Sequence, residues 1–339
     1  LVFNNIMKNS FFNIFTLFFL ILNLIFSPSF SDIKSLFNDE TLIISNFPES
    51  INSPGLIFEK LLDKSSLRVM YHHKNSLDEK LTLLINITNT SDKSVDFDIQ
   101  YGLGGSSTDV VFAGHKSAKD FMHQLLVTPK AMSLPPKSTA VIIKHIIKPH
   151  EVSSGHVRVA SREKNTLLVK MGVLDVAYPQ LSMFKDIPQI TSQFKVVEAD
   201  KSSVSIVKEF DCVQKIDLLE IGGKPYIKDM IKNYELKGNY GLMYCVDLTL
   251  VNSELKPKEI KLFFFPKKDN AIDRGVLVID DKIKEIGILT QKNEVVSMQE
   301  FYNTMLKPKE SKEVSFVLFP QAGCYYPVDI IIKSDERLL

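Results

Sequence analysis

Hydrophobic and polar positions alternate through long stretches of this chain. Leu83, Ile85 and Ile87 are spaced by two, and Val95, Phe97 and Ile99 alternate with Asp96 and Asp98. A period of two places one face of a strand in a core and the other in water. The turn formers 89–94 between these runs predict a strand pair. The same grammar returns later, where Val246, Leu248 and Leu250 lead through residues 253–258 to Ile260, Leu262 and Phe264. Each block is followed by a proline turn and another strand: Leu134-Pro135-Pro136-Lys137-Ser138 before 141–143, and Leu306-Lys307-Pro308-Lys309-Glu310 before 314–318. Matching Asn89 with Asn252 sets the blocks about 165–172 residues apart, which reads either as a duplication at domain scale or as convergence on a common strand-turn-strand grammar.

Further strands are expected at 67–73, 141–147, 156–160, 166–174, 194–199, 204–210, 216–221 and 276–279. Gly222-Gly223 and Asp280-Asp281 have the form of tight hairpin connections. Helical spacing is sparse. Ala118, Phe121, Met122, Leu125 and Leu126 predict a helix over 116–127, and Met298, Phe301, Tyr302 and Met305 a shorter one over 298–305. The expected fold class is all-β: two tandem Ig-like β-sandwich domains with one or two short helices, after an N-terminal signal peptide. The first domain is placed at 54–175 and the second at 189–334. A proline-bearing connector, 176–188, joins them, and a polar lead-in, 32–53, carries one apolar run at 41–45 that would add an edge strand. Each half is expected to bury its own alternating set.

The first 31 residues set the destination. Lys8 is the sole charge before Asp32, residues 11–26 are mostly apolar, and Ser29 and Ser31 supply small residues at −3 and −1. This is the form of a secretory signal cleaved after Ser31, with Met7-Lys8 as a natural start. The alternative is a retained N-terminal anchor, for which the apolar stretch is short. Loss of 1–31 leaves a chain of zero net charge, since the whole has 41 basic and 40 acidic residues and the segment carries one lysine. Such a balance offers no electrostatic footprint for a nucleic acid. With 45% hydrophobic and 24% charged residues, the composition excludes a disordered chain and a multi-span membrane protein.

Candidate chemistry is thin. All seven histidines (His72, His73, His115, His123, His145, His150 and His156) fall in the first half, and all three cysteines (Cys212, Cys245 and Cys324) in the second. Clustered histidines suggest a metal, but no close ligand spacing is present, and His72 and His73, adjacent on a strand, point to opposite faces. No cofactor or metal is therefore assigned. One cysteine pair with a free thiol is natural in an exported protein, and Cys245 with Cys324 is the preferred pair. Residues 102–109 read as a Gly/Ser loop before a helix. Gly104, Gly105, Ser106, Asp109, His115 and Lys116 are the candidates for a ligand-facing loop, although the run lacks the ending of a phosphate-binding loop and matches no nucleophile elbow.

Gly238-Asn239-Tyr240-Gly241-Leu242-Met243-Tyr244, the Asn252 turn, the run from Pro320 to Val328, Tyr71-His72-His73-Lys74-Asn75 and Gly114-His115-Lys116 together resemble a set of exported bacterial proteins of unknown function. The resemblance spans about 55–335 and implies a signal peptide and two tandem β-sandwich-like domains, without implying an activity. The expected function is a non-catalytic protein of the periplasm, cell surface or envelope that binds a glycan or protein partner through loops or sheet edges, with no membrane span once the signal is removed. The alternative is a metal-binding protein or metal-dependent enzyme using the first-half histidines.

Overall fold

The computed structural model describes residues 29–46, 50–175, 196–232, 234–268, 271–292 and 295–336. The segment 11–26 and the connector 176–188 lie outside the described residues. The first described element is helix α1 (Phe30–Ser35), capped by Ser29 and Asp32 in a reciprocal capping box. Strands β1 (Glu40–Ser45), β2 (Ser50–Ile51), β3 (Gly55–Leu61), β4 (Ser66–Asn75), β5 (Leu81–Asn89) and β6 (Val95–Ser107) follow, then helix α2 (Val110–Leu125). The first half continues with β7 (Lys130–Leu134), β8 (Thr139–Ile147), β9 (Val152–Ala160) and β10 (Leu167–Asp175).

The second half starts at β11 (Val197–Ala199) and β12 (Ser203–Asp211), then a 3-10 turn at Cys212–Gln214. It runs on through β13 (Ile216–Ile221), β14 (Ile227–Lys228), β15 (Glu235–Leu236), β16 (Met243–Val251), β17 (Lys258–Pro266), β18 (Ile272–Ile279) and β19 (Lys282–Lys292). It ends with β20 (Val295–Val296), β21 (Gln299–Leu306), β22 (Ser311–Leu318) and β23 (Val328–Glu336).

The protein is all-β, with four principal sheets. A seven-stranded sheet, β11-β1-β4-β9-β6-β7 with β2 beside β4, faces a four-stranded sheet, β3-β10-β5-β8. A six-stranded sheet, β12-β16-β22-β18-β19-β20, faces a four-stranded sheet, β13-β23-β17-β21. The run 41–45 is a strand but not a free edge, because β11 pairs with β1 on its outer side. The alternating sets fill the cores as expected. Leu83, Ile85, Ile87, Val95, Phe97 and Ile99 lie in one cluster, and Val246, Leu248, Leu250, Ile260, Leu262 and Phe264 in another. Each such side chain contributes roughly 1.5–3 kcal/mol by leaving water.

The two halves repeat one topology strand for strand. In the large sheets, β1, β4, β9, β6 and β7 correspond to β12, β16, β22, β18 and β19. In the small sheets, β3, β10, β5 and β8 correspond to β13, β23, β17 and β21. Both large sheets share one parallel pair, β1 with β4 and β12 with β16, and the short β2 adds a second parallel neighbour to β4.

Four sequence expectations need correction. The runs 81–89 and 95–99 are not paired with each other: β5 lies in the small sheet and β6 in the large one, and β16 and β17 are divided in the same way. The topological counterpart of Asn252 is Asn75, at the end of β4, so the match to Asn89 is one strand out of phase. The error has a physical source, because one corner motif occurs three times. Asn75, Asn89 and Asn252 each donate from Nδ2 to the carbonyl four residues on, at 2.6, 2.7 and 2.8 Å. Each also donates across to the strand end that enters a proline turn, at Ile147, Leu134 and Leu306. Those turns contain His150, Lys137 and Lys309, at φ 59, 55 and 62. The motif thus marks places where the chain switches sheets, not the length of the repeat.

The expected helix over 298–305 is strand β21. A register shift opposite Leu262/Phe263 makes Phe301 an extra residue, which brings Phe301 and its neighbour Tyr302 toward the same core. A bulge therefore imitates helical spacing. Asp280-Asp281 does form the two-residue hairpin between β18 and β19, both residues at positive φ. Gly222-Gly223 does not connect a hairpin, since among the described residues β13 pairs only with β23. The predicted helix over 116–127 starts earlier, at Val110, where the Asp109 carboxylate accepts the Phe112 N–H.

Candidate functional site

Helix α2 lies between the two large sheets. Ala118, Phe121, Met122 and Leu125 join Ile33 and Phe37 in packing on Met243, Cys245, Val276, Val278, Val317 and Phe319 of the second half. Its other side rests on β6, and the stretch expected to be a Gly/Ser loop is the end of that strand. A Cβ on Gly104 would sit 1.9 Å from the Ala113 carbonyl oxygen, and one on Gly114 would sit 1.8 Å from that of Ala322. These glycines let a helix touch backbone on both sides.

The remaining loop candidates are each engaged within the chain. Gly105 lies in β6 and its carbonyl faces His145 Nε2 at 3.0 Å. Ser106 donates to the Glu151 carboxylate and accepts from the Lys148 N–H. Asp109 caps α2, and Lys116 pairs with Asp120 one turn on. His115 is buried, with Nε2 3.1 Å from Glu285 of β19, and burial holds its imidazole below the usual range. Of the six, Gly104 and His115 are buried and Asp109 and Lys116 are exposed.

The other histidines are spread through the first half. His72 meets Ser154 at 2.7 Å and His73 meets Ser45 at 2.9 Å, on separate partners as their adjacency on a strand requires. His145 meets Ser153 at 2.8 Å, His150 faces Asp78, and His156 packs against Phe121 and Phe319. Burial lowers His72 to about 4 and takes His156 well below its ordinary value. Among the described residues no group of three or more His, Cys, Asp or Glu side chains is placed to hold a metal ion. Cys245 and Cys324 do not pair. All three cysteines are free and buried, with thiols raised to about 11 by burial. Cys245 faces α2 across the outer side of the large sheet, while Cys324 lies in the 320–327 loop beside Gln321.

Beside α2, the outer face of the first large sheet carries a buried ionic clamp. Glu40 accepts from Arg68 Nε at 2.8 Å and from Arg158 Nε at 3.1 Å. Arg68 also donates to the carbonyls of Gly241 and Ser202 and stacks over Phe37. Arg158 reaches Gln100 Oε1 and the Leu36 carbonyl. One carboxylate thus orients two guanidinium groups toward α1, the first sheet and the second half together.

Arg158 forms part of the lining of an open groove of about 860 Å³. Its floor is the uncovered end of the first large sheet: Asp96 and Asp98 from β6, Ala131 and Ser133 from β7, and Ala160 from β9. Ser35 and Leu36 wall one side and Ser161, Arg162 and Glu163 another. The sequence reading missed this groove. Its one available signal is the pair Asp96 and Asp98, two carboxylates two residues apart and so on one wet face, which in isolation is ordinary alternation.

No family model matches the chain, and no curated protein does. Among solved structures, the multicopper oxidase Fet3p aligns at 9% identity with a TM-score of 0.18, over 83% of this chain and 61% of that one. A xanthan lyase from Paenibacillus aligns at 6% identity and TM-score 0.17, over 88% and 25%. The CBM22-1-CBM22-2 tandem of Paenibacillus barcinonensis Xyn10C aligns at 8% identity and TM-score 0.16, over 78% and 75%. The chain spans less than two thirds of the first two proteins. At such scores the likenesses carry no argument about ligand or activity. No helix among the described residues is long and apolar enough to cross a membrane.

Proposed function

We propose that the protein is exported and serves, without catalysis, as a binding module of the bacterial periplasm or cell envelope, with the groove over β6, β7 and β9 as its binding surface for a protein or glycan partner. The observation that carries this reading is the groove itself. It is open and large enough for a short polymer segment, and its lining presents charges of both signs, Asp96, Asp98 and Glu163 beside Arg162. The apolar stretch 11–26, followed by Ser29 and Ser31, supports export. Cleavage after Ser31 would remove the Ser29 cap yet keep Ile33 and Phe37, the buried anchors of α1 and its following turn.

A photo-crosslinking residue at position 133, on the groove floor, tests the binding surface in the mature chain. Incubation with envelope proteins and envelope polysaccharide should yield an adduct that Ser133→Trp in soluble competitor fails to displace while wild-type competitor does. Equal displacement by both would remove the groove from the reading.

A further inference from the structure

The two halves repeat one topology, but their outermost seams are finished differently. On the first large sheet, β11 from the start of the second half pairs antiparallel along β1, with Ala199 opposite Leu42 and Val197 opposite Ile44. Val197 and Ala199 are buried, and Glu198 between them takes an ion pair at 2.9 Å from Lys60 on β3 of the facing sheet. One short strand, apolar-acidic-apolar, thereby completes the large sheet and closes the gap between the two sheets.

The counterparts of β1 and β3 are β12 and β13. Among the described residues β12 pairs only with β16, so its other edge presents backbone donors and acceptors with no neighbouring strand. The gap to β13 is bridged by Lys208, which reaches the Leu218 carbonyl and the Asp217 carboxylate, both at 2.8 Å. Aliphatic side chains stand in water on the outer faces of the two strands: Val207 of β12 is 77% exposed, and Ile216 and Leu218 of β13 are 56% and 51% exposed. Val204 and Ile206 pack on the core yet remain only partly covered. A bare edge flanked by aliphatic residues is a template for strand addition.

We infer that the free edge of β12 accepts an extended segment of a partner polypeptide, antiparallel to β12 and with aliphatic side chains at alternating positions. The occupant is identified by the same molecule: on the equivalent edge, an antiparallel strand of that chemistry is in place as β11. The added strand bonds the open backbone groups of β12 and covers Val207 on its outer face. This surface is separate from the groove and stands or falls without it.

The test uses the full chain carrying, after its last residue, a flexible Gly/Ser linker of about 20 residues and a second copy of the 196–200 sequence. Such a linker reaches roughly 25 Å and holds the probe at millimolar effective concentration. Hydrogen exchange across 203–211 should slow by about tenfold relative to a version whose probe carries proline at its centre, which lacks the N–H that strand pairing needs. Val207→Lys in the same chain should abolish the protection while exchange in β16 and β22 stays slow, which shows that the fold is intact. Equal exchange with the two probes would overturn the inference. So would concentration-dependent protection of 203–211 in the unextended chain together with dimers in sedimentation, since the edge would then belong to a second copy.

Discussion

The outer faces of the two large sheets meet around α2, and they differ in how much of each is ionic. The first-half face offers Glu40, Arg68, His72, Gln100, His156 and Arg158, all buried, interleaved with Leu42, Ile44 and Met70, which pack on the second-half core. The second-half face offers Met243, Cys245, Val276, Val278, Val317 and Phe319. One topology therefore supports two kinds of contact: a polar face whose groups are oriented by specific partners, and an apolar face that accepts a helix by shape. The difference also accounts for the segregation of residue types. Part of the histidine set lies on the polar face, where His72 bonds Ser154 and His156 packs against rings from both halves. Cys245 lies on the apolar one, where a thiol acts as a small hydrophobe.

The comparison breaks most severely at Glu40. Its removal strands two guanidinium groups in a buried site, whereas a truncation on the apolar face leaves only a cavity. Glu40→Ala is expected to lower stability by about 4 kcal/mol in urea unfolding of the full chain. Met243→Ala should cost about 3 kcal/mol. A Glu40→Ala loss below that of Met243→Ala would show that the polar face packs rather than pairs.

The corner asparagines sharpen the comparison next. Asn75, Asn89 and Asn252 each satisfy carbonyls from two chain segments, so each change to alanine leaves buried acceptors unpaired and should cost about 2–3 kcal/mol. Near-equal losses at all three would show that the corner works alike in both halves. A loss confined to Asn252 would show that the first half, with two such corners, tolerates losing one.

The smallest effect is in pH, and it has opposite signs in the two halves. His72 has its folded value lowered by burial to about 4, so its contribution is present above the unfolded value near 6.5 and is lost as pH falls toward 4. Asp273, on β18, is raised by burial to about 6 while its main-chain partner Tyr325 pulls the other way. Its contribution is present below about 3.9 and is lost as pH rises through 6. His72→Gln should therefore flatten the loss of stability between pH 6.5 and 4. Asp273→Asn should stabilise by about 1–2 kcal/mol at pH 7.5 and by little at pH 4. Chemical denaturation at the two pH values reads both.

How far the fold was legible depends on what each residue pattern encodes. Alternation at Leu83, Ile85 and Ile87 reports burial of one face and located the strands well. It says nothing of which strand lies beside which, and so the sheet switches at Asn89 and Asn252 passed for hairpin turns. The 298–305 error arose because burial at Phe301 and Tyr302 reflects a bulge that only the partner strand reveals. The glycines at 104 and 114 were visible, but a glycine needed for close approach and one needed for a turn look alike in sequence. The groove was hidden because Ser35, Asp96, Ser133 and Arg162 come from separate segments that the sheet brings together.

The Arg68 side chain donates to Gly241, 173 residues further along, and His115 faces Glu285, 170 residues away. These spans govern the order in which the molecule is assembled. The polar outer face of the first half has no cover until the segment around 241 has been synthesised and has folded, and α2 has no second wall until β18 and β22 exist. Contacts so distant along the chain make folding slow and defer its completion to the end of synthesis. A polypeptide of this design stays pliable while it is being made and becomes rigid only as a whole.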